Sequence, residues 1–333
     1  MSQGVIEFLI ERAKKNPKRV ALPECEAEKT LLAARIVLES GIGYPVLVND
    51  PKVIEETARK AGVPIDGMEI VDITDEAAQD VLVEKFLALE ERGMSASGYK
   101  RKIQNPLNYA MMLVAVDGAD CIFCGHTNTT GDVLITAFKT IGLQEGVDVA
   151  SIFALVEIPG FNGPEGDRIV FADCGLTPEP TPSKLASIAI AAADGARKLM
   201  GWEPRVAFLS FSTDGSGRGE SVEKVKEAIE IMKERRPDIK ADGEFQLDAA
   251  IDVAVAETKV KRQSEVAGKA NVLIFPDLNA ANIGVKIVQY FARGSAYGHT
   301  ISGLRKPVAD SSRGATVDEI VGDIAMVVIA ASE

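Results

Sequence analysis

The feature that most constrains this chain is a regular alternation between two hydrophobic periods. Short runs rich in Val, Ile, Leu and Phe recur along it. They are RVALPE (19–24), YPVLVND (44–50), MEIVDI (68–73), ADCIFCG (119–125), VASIFALVEI (149–158), RIVFADCG (168–175), VAFLSFS (206–212) and NVLIFPD (271–277). Unbroken apolar runs of this length read as strands buried on both faces, as in a parallel sheet. Between them lie stretches of helical period: VIEFLIERAKKN, EKTLLAARIVLES, PKVIEETARKAG, DEAAQDVLVEKFLALEERG, SKLASIAIAAADGARKLMG, SVEKVKEAIEIMKERR, IGVKIVQYFARG and DEIVGDIAMVVIAAS. Strand–helix alternation predicts an α/β fold with mainly parallel sheets. One segment departs from the rhythm. In ALVEIPGFNGPEGDRIVFADCG two β-like runs flank a Pro- and Gly-rich turn, which reads as a hairpin and marks a second sub-domain or a dimer contact.

At 333 residues the chain is long enough for two domains. Aromatic residues make up only 5% of it, so the core must be built from Ala, Val, Ile and Leu. The formal net charge of -12 disfavours nucleic acid and anionic membranes as partners, since phosphate polymers need a positive field. A small anionic substrate is compatible with it, because backbone N–H groups and one or two arginines can hold a phosphate inside an acidic protein. Cys25, Cys121, Cys124 and Cys174 are scattered, with no secretory leader and no run of about 18 apolar residues. The reading is a cytoplasmic protein with reduced thiols.

Five segments carry chemistry-bearing residues. Cys121-x-x-Cys124 with His126 lacks the C-x-x-C-H order of haem attachment and has three ligands where zinc needs about four. The pair also falls on a predicted strand, so the cysteines read as small buried hydrophobes and no metal is expected. GHTNTTGD (125–132) follows that strand and precedes a helical run. Its glycines, with Thr127, Asn128, Thr129 and Thr130, suit an anion at a helix N-terminus, or simply an N-cap loop. STDGSGRGES (212–221) matches neither nucleotide-loop pattern but follows a strand and precedes a helix. In FPDLNAANIGVKI (275–287), Asn279 and Asn282 can donate to a carbonyl or phosphate oxygen, or cap the helix. In DSSRGATVDE (310–319), Ser312 and Arg313 stand beside a glycine. Arginine offers a planar fork that matches phosphate, and Asp318 or Glu319 could supply a base. The same residues also read as an exposed loop, an N-capping Thr316 and acids favoured by the helix dipole.

Taken together, the segments resemble the phosphate acetyl/butyryltransferase family nearly end to end. The resemblance rests on RVALPE, GHTNTTGD, FADCGLTPEPTPSKLASIAI (171–190), LSFSTDGSG (209–217), DGEFQLDAAI (242–251), GKANVLIFPDLNAANI (268–283), AYG (296–298) and DSSRGATVDEIVG (310–322). It implies reversible acyl transfer between an acyl phosphate and coenzyme A, with inorganic phosphate as the other product. It also implies two α/β domains with a cleft between them, of the isocitrate/isopropylmalate dehydrogenase-like architecture. The expected division is residues 1–146 plus 298–333 for the first domain and 147–297 for the second, which carries the homodimer contact. No tightly bound cofactor is implied. By analogy Arg313 binds phosphate, Ser312 donates to the developing oxyanion, and a carboxylate takes the thiol proton.

The chain departs from the family pattern at several places. The catalytic aspartate position holds Glu319, with Asp318 beside it. An arginine associated with coenzyme A and phosphate is replaced by Ile135, another by Tyr290, and a lysine by Asp214. Each lost charge-assisted bond is worth ~1.5–3 kcal/mol. These departures motivate an alternative, a non-catalytic binding or regulatory protein that keeps the fold. A dehydrogenase of the same architecture would need clustered metal-binding aspartates, which have no recognisable context here.

Overall fold

The computed structural model describes residues 4–89, 94–298 and 300–332. Two compact units result: Met1–Gly142 together with Leu304–Glu333, and Leu143–Gly303. The boundaries fall a few residues from those expected at 146/147 and 297/298. The Gln144 N–H bonds to the Gly303 carbonyl, and residues 295–297 and 300–302 pair with a strand of the second unit, so both edges go with that unit.

Unit 1 opens with α1 (Val5–Ala13), β1 (Lys18–Leu22), α2 (Glu28–Glu39), β2 (Gly43–Asn49), α3 (Pro51–Ala61), β3 (Glu69–Asp72) and α4 (Glu76–Leu87). It continues through α5 (Ala96–Lys102), α6 (Pro106–Ala115), β4 (Cys121–Cys124) and α7 (Thr130–Thr140). Unit 2 holds β5 (Ser151–Glu157), β6 (Arg168–Ala172), α8 (Pro182–Met200), β7 (Arg205–Leu209), α9 (Glu220–Arg235) and β8 (Lys240–Phe245). It ends with α10 (Leu247–Ile251), α11 (Val253–Lys259), β9 (Val272–Ile274), α12 (Leu278–Phe291), β10 (Ser295–Tyr297) and β11 (Thr300–Ser302). The chain then returns to unit 1 with β12 (Val308–Asp310) and α13 (Val317–Ala330).

The unit 1 sheet runs β3-β2-β1-β4-β12, every pair parallel. Its helices start where the sequence supplies caps. Asp50 accepts from the Lys52 N–H with Pro51 at the first helical position, and Gly62 ends α3 in the left-handed region. Every residue of α13 from Ile320 to Ile329 is buried, so this helix is packed on all sides, against α1, α2, β1 and β4. In unit 2, β5 and β6 form the expected antiparallel hairpin, and β6-β9-β7-β8 are parallel. Its core includes Val156, Phe171, Leu209, Phe245 and Leu273, with Phe171 and Phe275 in ring contact at 5.1 Å. Among the described residues no helix is long and apolar enough to cross a membrane.

Candidate active site

In unit 1 the chain builds outward from β1 to β2 and β3, then returns to add β4 on the other side of β1. Ligands of open parallel sheets sit beyond the carboxyl ends of the strands where the order reverses in this way. Those ends carry PECE after β1, GHTNTTGD after β4 and SSRG after β12. Register brings them together. Ala21 lies opposite Ile122, so three residues further on Glu24 falls beside Gly125. Asp310 lies opposite Cys124.

Glu24 is 1% exposed. Its carboxylate accepts from four successive backbone N–H groups: Gly125 (3.1 Å), His126 (2.8 Å), Thr127 (3.0 Å) and Asn128 (2.8 Å). The Asn128 side-chain amide adds a fifth donor at 2.8 Å. Charge-assisted bonds of this kind are worth ~1.5–3 kcal/mol each and offset the desolvation of a buried carboxylate. Glu26 takes the Thr127 hydroxyl at 2.8 Å. Thr129 caps α7, accepting from the Asp132 N–H and donating to the Asp132 carboxylate. Thr130 begins that helix and is exposed. The anion that the backbone of this loop holds is therefore a residue of the chain itself. Of the two readings of this loop, the N-cap is present at Thr129, and the N–H groups of residues 125–128 are committed to Glu24.

The SSRG segment lies against the same loop. The Ser311 N–H bonds to the Cys124 carbonyl at 2.8 Å, and His126 Nδ1 lies 3.4 Å from the Ser312 carbonyl. Gly125 has φ +89°, and a Cβ there would lie 2.8 Å from the Ser311 nitrogen, so only glycine allows this approach. Ser312 is exposed, and its hydroxyl accepts from the Gly314 N–H. Arg313 is exposed too, and among the described residues no carboxylate pairs with its guanidinium. Lys29 on α2 donates to the Ala315 carbonyl at 2.8 Å, tying the segment down. Thr316 and Glu319 form a reciprocal capping box at the start of α13, with the Glu319 carboxylate 2.8 Å from the Thr316 nitrogen. Asp318 is exposed and makes no such bond.

Cys121 and Cys124 lie fully buried in β4, where burial raises both thiols well above their usual range. Cys25, also buried, is raised for the same reason. Among the described residues no group of three or more His, Cys, Asp or Glu side chains is placed to hold a metal ion.

In unit 2, Asn279 and Asn282 sit one turn apart on α12, both exposed. Neither caps that helix: Asp277 does, accepting from the Ala280 N–H at 2.9 Å. Both amides therefore remain available to a ligand. The STDGSG turn is organised by Glu244, which accepts from the Ser212 hydroxyl (2.7 Å) and the Gly215 N–H (2.8 Å). Asp214, at the lysine position of the family pattern, pairs with Arg262 at 2.9 Å. Asp173 accepts from the N–H groups of Ile152, Gly175, Leu176 and Thr177; burial pushes its carboxyl up while those donors oppose the shift. A cleft of about 730 Å³ in this unit is lined by Glu179, Glu220, Glu223, Glu227 and Asp277 with a single Lys224. That sign of charge does not suit phosphate.

The residues missed in the sequence were the carboxylates Glu24 and Glu26. Their signal was present: two acids directly after an apolar strand, in ALPECE, where a strand end meets the crevice.

The family described as "Phosphate acetyl/butaryl transferase" matches residues 4–330. A phosphate acetyltransferase of Clostridium acetobutylicum is 42% identical over 328 residues, covering 98% of each chain. A solved phosphotransacetylase from Streptococcus pyogenes is 31% identical, superposes with a TM-score of 0.91 and covers 98% of each chain. A 4-hydroxythreonine-4-phosphate dehydrogenase from Klebsiella pneumoniae, at 10% identity and a TM-score of 0.55 over 95% of this chain and 100% of its own, shares the fold alone. By the extent of the family match and the identity to its relatives, the chain belongs to the phosphate acetyl/butaryl transferase family, whose members are acyltransferases.

Proposed function

We propose that the chain transfers a short acyl group between acyl phosphate and coenzyme A, with acetyl phosphate as the first substrate to test. The observation that carries this reading is Arg313. It is an exposed guanidinium with no carboxylate partner among the described residues, on a segment that touches the GHTNTTGD loop. A free arginine fork suits a phosphate that must bind and leave.

In this reading Asp318 or Glu319 takes the thiol proton of coenzyme A. The thiolate forms a bond to the acyl carbon while the Ser312 hydroxyl donates to the developing oxyanion. The carbon–oxygen bond to phosphate then breaks, and Arg313 holds the departing phosphate. Thr127, Asn128, Thr129, Thr130, Asn279 and Asn282 are the remaining candidate contacts. Of these, the Thr130 hydroxyl and the two α12 amides are the least committed within the protein. Coenzyme A is a substrate here, and no resident cofactor is invoked. Ile283, Ile287, Tyr290 and Phe291 form an exposed apolar stripe at helical spacing on α12, and we assign it to a homodimer contact. Four free cysteines suit a cytoplasmic location.

The test is thioester formation by the purified protein from coenzyme A and acetyl, propionyl or butyryl phosphate. Arg313→Ala is expected to lower kcat by ~10²–10³-fold. Comparing Asp318→Asn with Glu319→Gln identifies the base as the variant that loses the acidic limb of the pH–rate profile. No turnover of any of the three acyl phosphates would overturn the reading and leave a non-catalytic binding protein.

A further inference from the structure

Unit 1 places its reversal of strand order between β1 and β4, where open parallel sheets usually take an anionic ligand. Here that crevice is already filled. Glu24 enters it from the end of β1 and meets five donors. Its Oε1 takes the N–H groups of Gly125, Thr127 and Asn128 and the Asn128 amide, and Oε2 takes the His126 N–H. Only a carboxylate fits, because both oxygens must accept. The first two of these residues also carry the approach to the reactive segment: Gly125 lies against the Ser311 backbone, and the His126 ring reaches the Ser312 carbonyl.

We propose that Glu24 is a positioning residue. It acts as an internal anion in the amide nest of residues 125–128, and through that nest it sets the place of Ser312 and Arg313. This rests on the acyltransferase reading for its effect on turnover, but the filling of the nest does not depend on that reading. Phosphate is accordingly held by side chains, Arg313 first, and not by the amides of this loop. Glu26 braces the arrangement through Thr127 and Asn49.

Glu24→Gln replaces one acceptor by a donor at almost unchanged volume. Glu24→Ala empties the nest and leaves room for a small carboxylate. Two readouts separate the nest from the chemistry. By hydrogen-exchange mass spectrometry, the amides of residues 125–128 are expected to exchange faster in Glu24→Gln than in the wild type. Unchanged protection overturns the proposal whether or not the protein turns over acyl phosphate. In the assay above, Glu24→Gln is expected to lose ~10–100-fold in kcat, as for a reactive group misplaced by about 1 Å. Formate, at matched ionic strength against chloride, is expected to restore part of kcat and to raise the melting temperature of Glu24→Ala, with no effect on the wild type. A folded Glu24→Ala that is indifferent to formate, or a Glu24→Gln with wild-type kcat, overturns it. Should Glu24→Ala fail to fold, the Gln variant decides by exchange and kcat alone.

Discussion

Gly125→Ala tests the joint between the two loops of the candidate active site. The added Cβ would stand 2.8 Å from the Ser311 nitrogen and 3.0 Å from its carbonyl oxygen, with the Asp310 carboxylate nearer still. Ordinary contact begins at 3.4 Å, so the backbone after β12 must move by at least 0.6 Å (3.4 minus 2.8). The positive φ of +89° adds strain of roughly 1–2 kcal/mol for an L side chain. Overpacking adds ~1–3 kcal/mol. The sum, ~2–5 kcal/mol, is less than the ~5–15 kcal/mol that holds an ordinary protein folded, so the variant should fold with a melting temperature roughly 4–20 °C lower. Moving the backbone that bears Ser312 and Arg313 should lower kcat by ~10-fold or more. The control lies in the same loop. Gly131 is in α7, where a Cβ would meet only the Thr129 hydroxyl at 3.7 Å, so Gly131→Ala should be neutral or stabilise by up to ~1 kcal/mol. Differential scanning calorimetry and initial rates on both variants decide the matter. If Gly125→Ala matches the wild type within 1 °C and twofold in kcat, the close approach of the two loops is wrong.

Ile135→Arg restores a positive charge where the family pattern has one. Ile135 is 55% exposed, so stability should change by less than ~0.5 kcal/mol while KM for coenzyme A falls about 10-fold, read from initial rates. In unit 2, burial opposes ionisation of Asp242, but hydrogen bonds from Arg262, Ser264 and the Gly243 N–H outweigh it and hold its carboxyl below the usual value. Its folded value is the lower one, so its contribution is present above about pH 4 and is lost as pH falls through that value. Arg262→Ala should move acid unfolding to higher pH and cost ~3 kcal/mol, low in the range because Arg262 is half-exposed; an unmoved acid midpoint would refute this. Cys121 and Cys124 should resist a thiol reagent at pH 8 in the native protein. Cys174, pushed up to about 12 by burial and by Asp173, should react slowly, and all four cysteines should react after unfolding. Rapid labelling of two thiols in the folded state would contradict the buried β4.

Legibility followed the local signal. The strands that the apolar runs marked are present, because VLIF and IFALV have no other way to bury both faces. KADGEF, which forms β8, carries no strand signal of its own: it is half polar with a glycine, and it gains its place by parallel pairing with β7. α6 was passed over although Asn105 and Pro106 mark its start as clearly as Asp50 and Pro51 mark α3. The proximity of SSRG to GHTNTTGD has no signal in spacing, since the two segments are 186 residues apart at His126 and Ser312. Glu24 was invisible as an acceptor for the same reason: its donors are 101 to 104 residues away. Conversely Thr316 was legible as an N-cap, and the structure uses it as one, with Glu319 as its reciprocal partner.

Strand β12 joins β4 across a sequence separation of 185 residues, as between Cys124 and Ala309. On a ribosome adding ~5–20 residues per second, the β4 edge therefore stands open for roughly 10–40 s before its neighbour exists. Unit 2 is contiguous and can be complete while unit 1 still lacks its last strand and α13, the helix buried on every side. A released chain truncated after Gly303 would thus carry all of the second unit and an unfinished first one. Completion of unit 1 thus waits for the chain to return after unit 2, and Ser312 and Arg313 come only with that return.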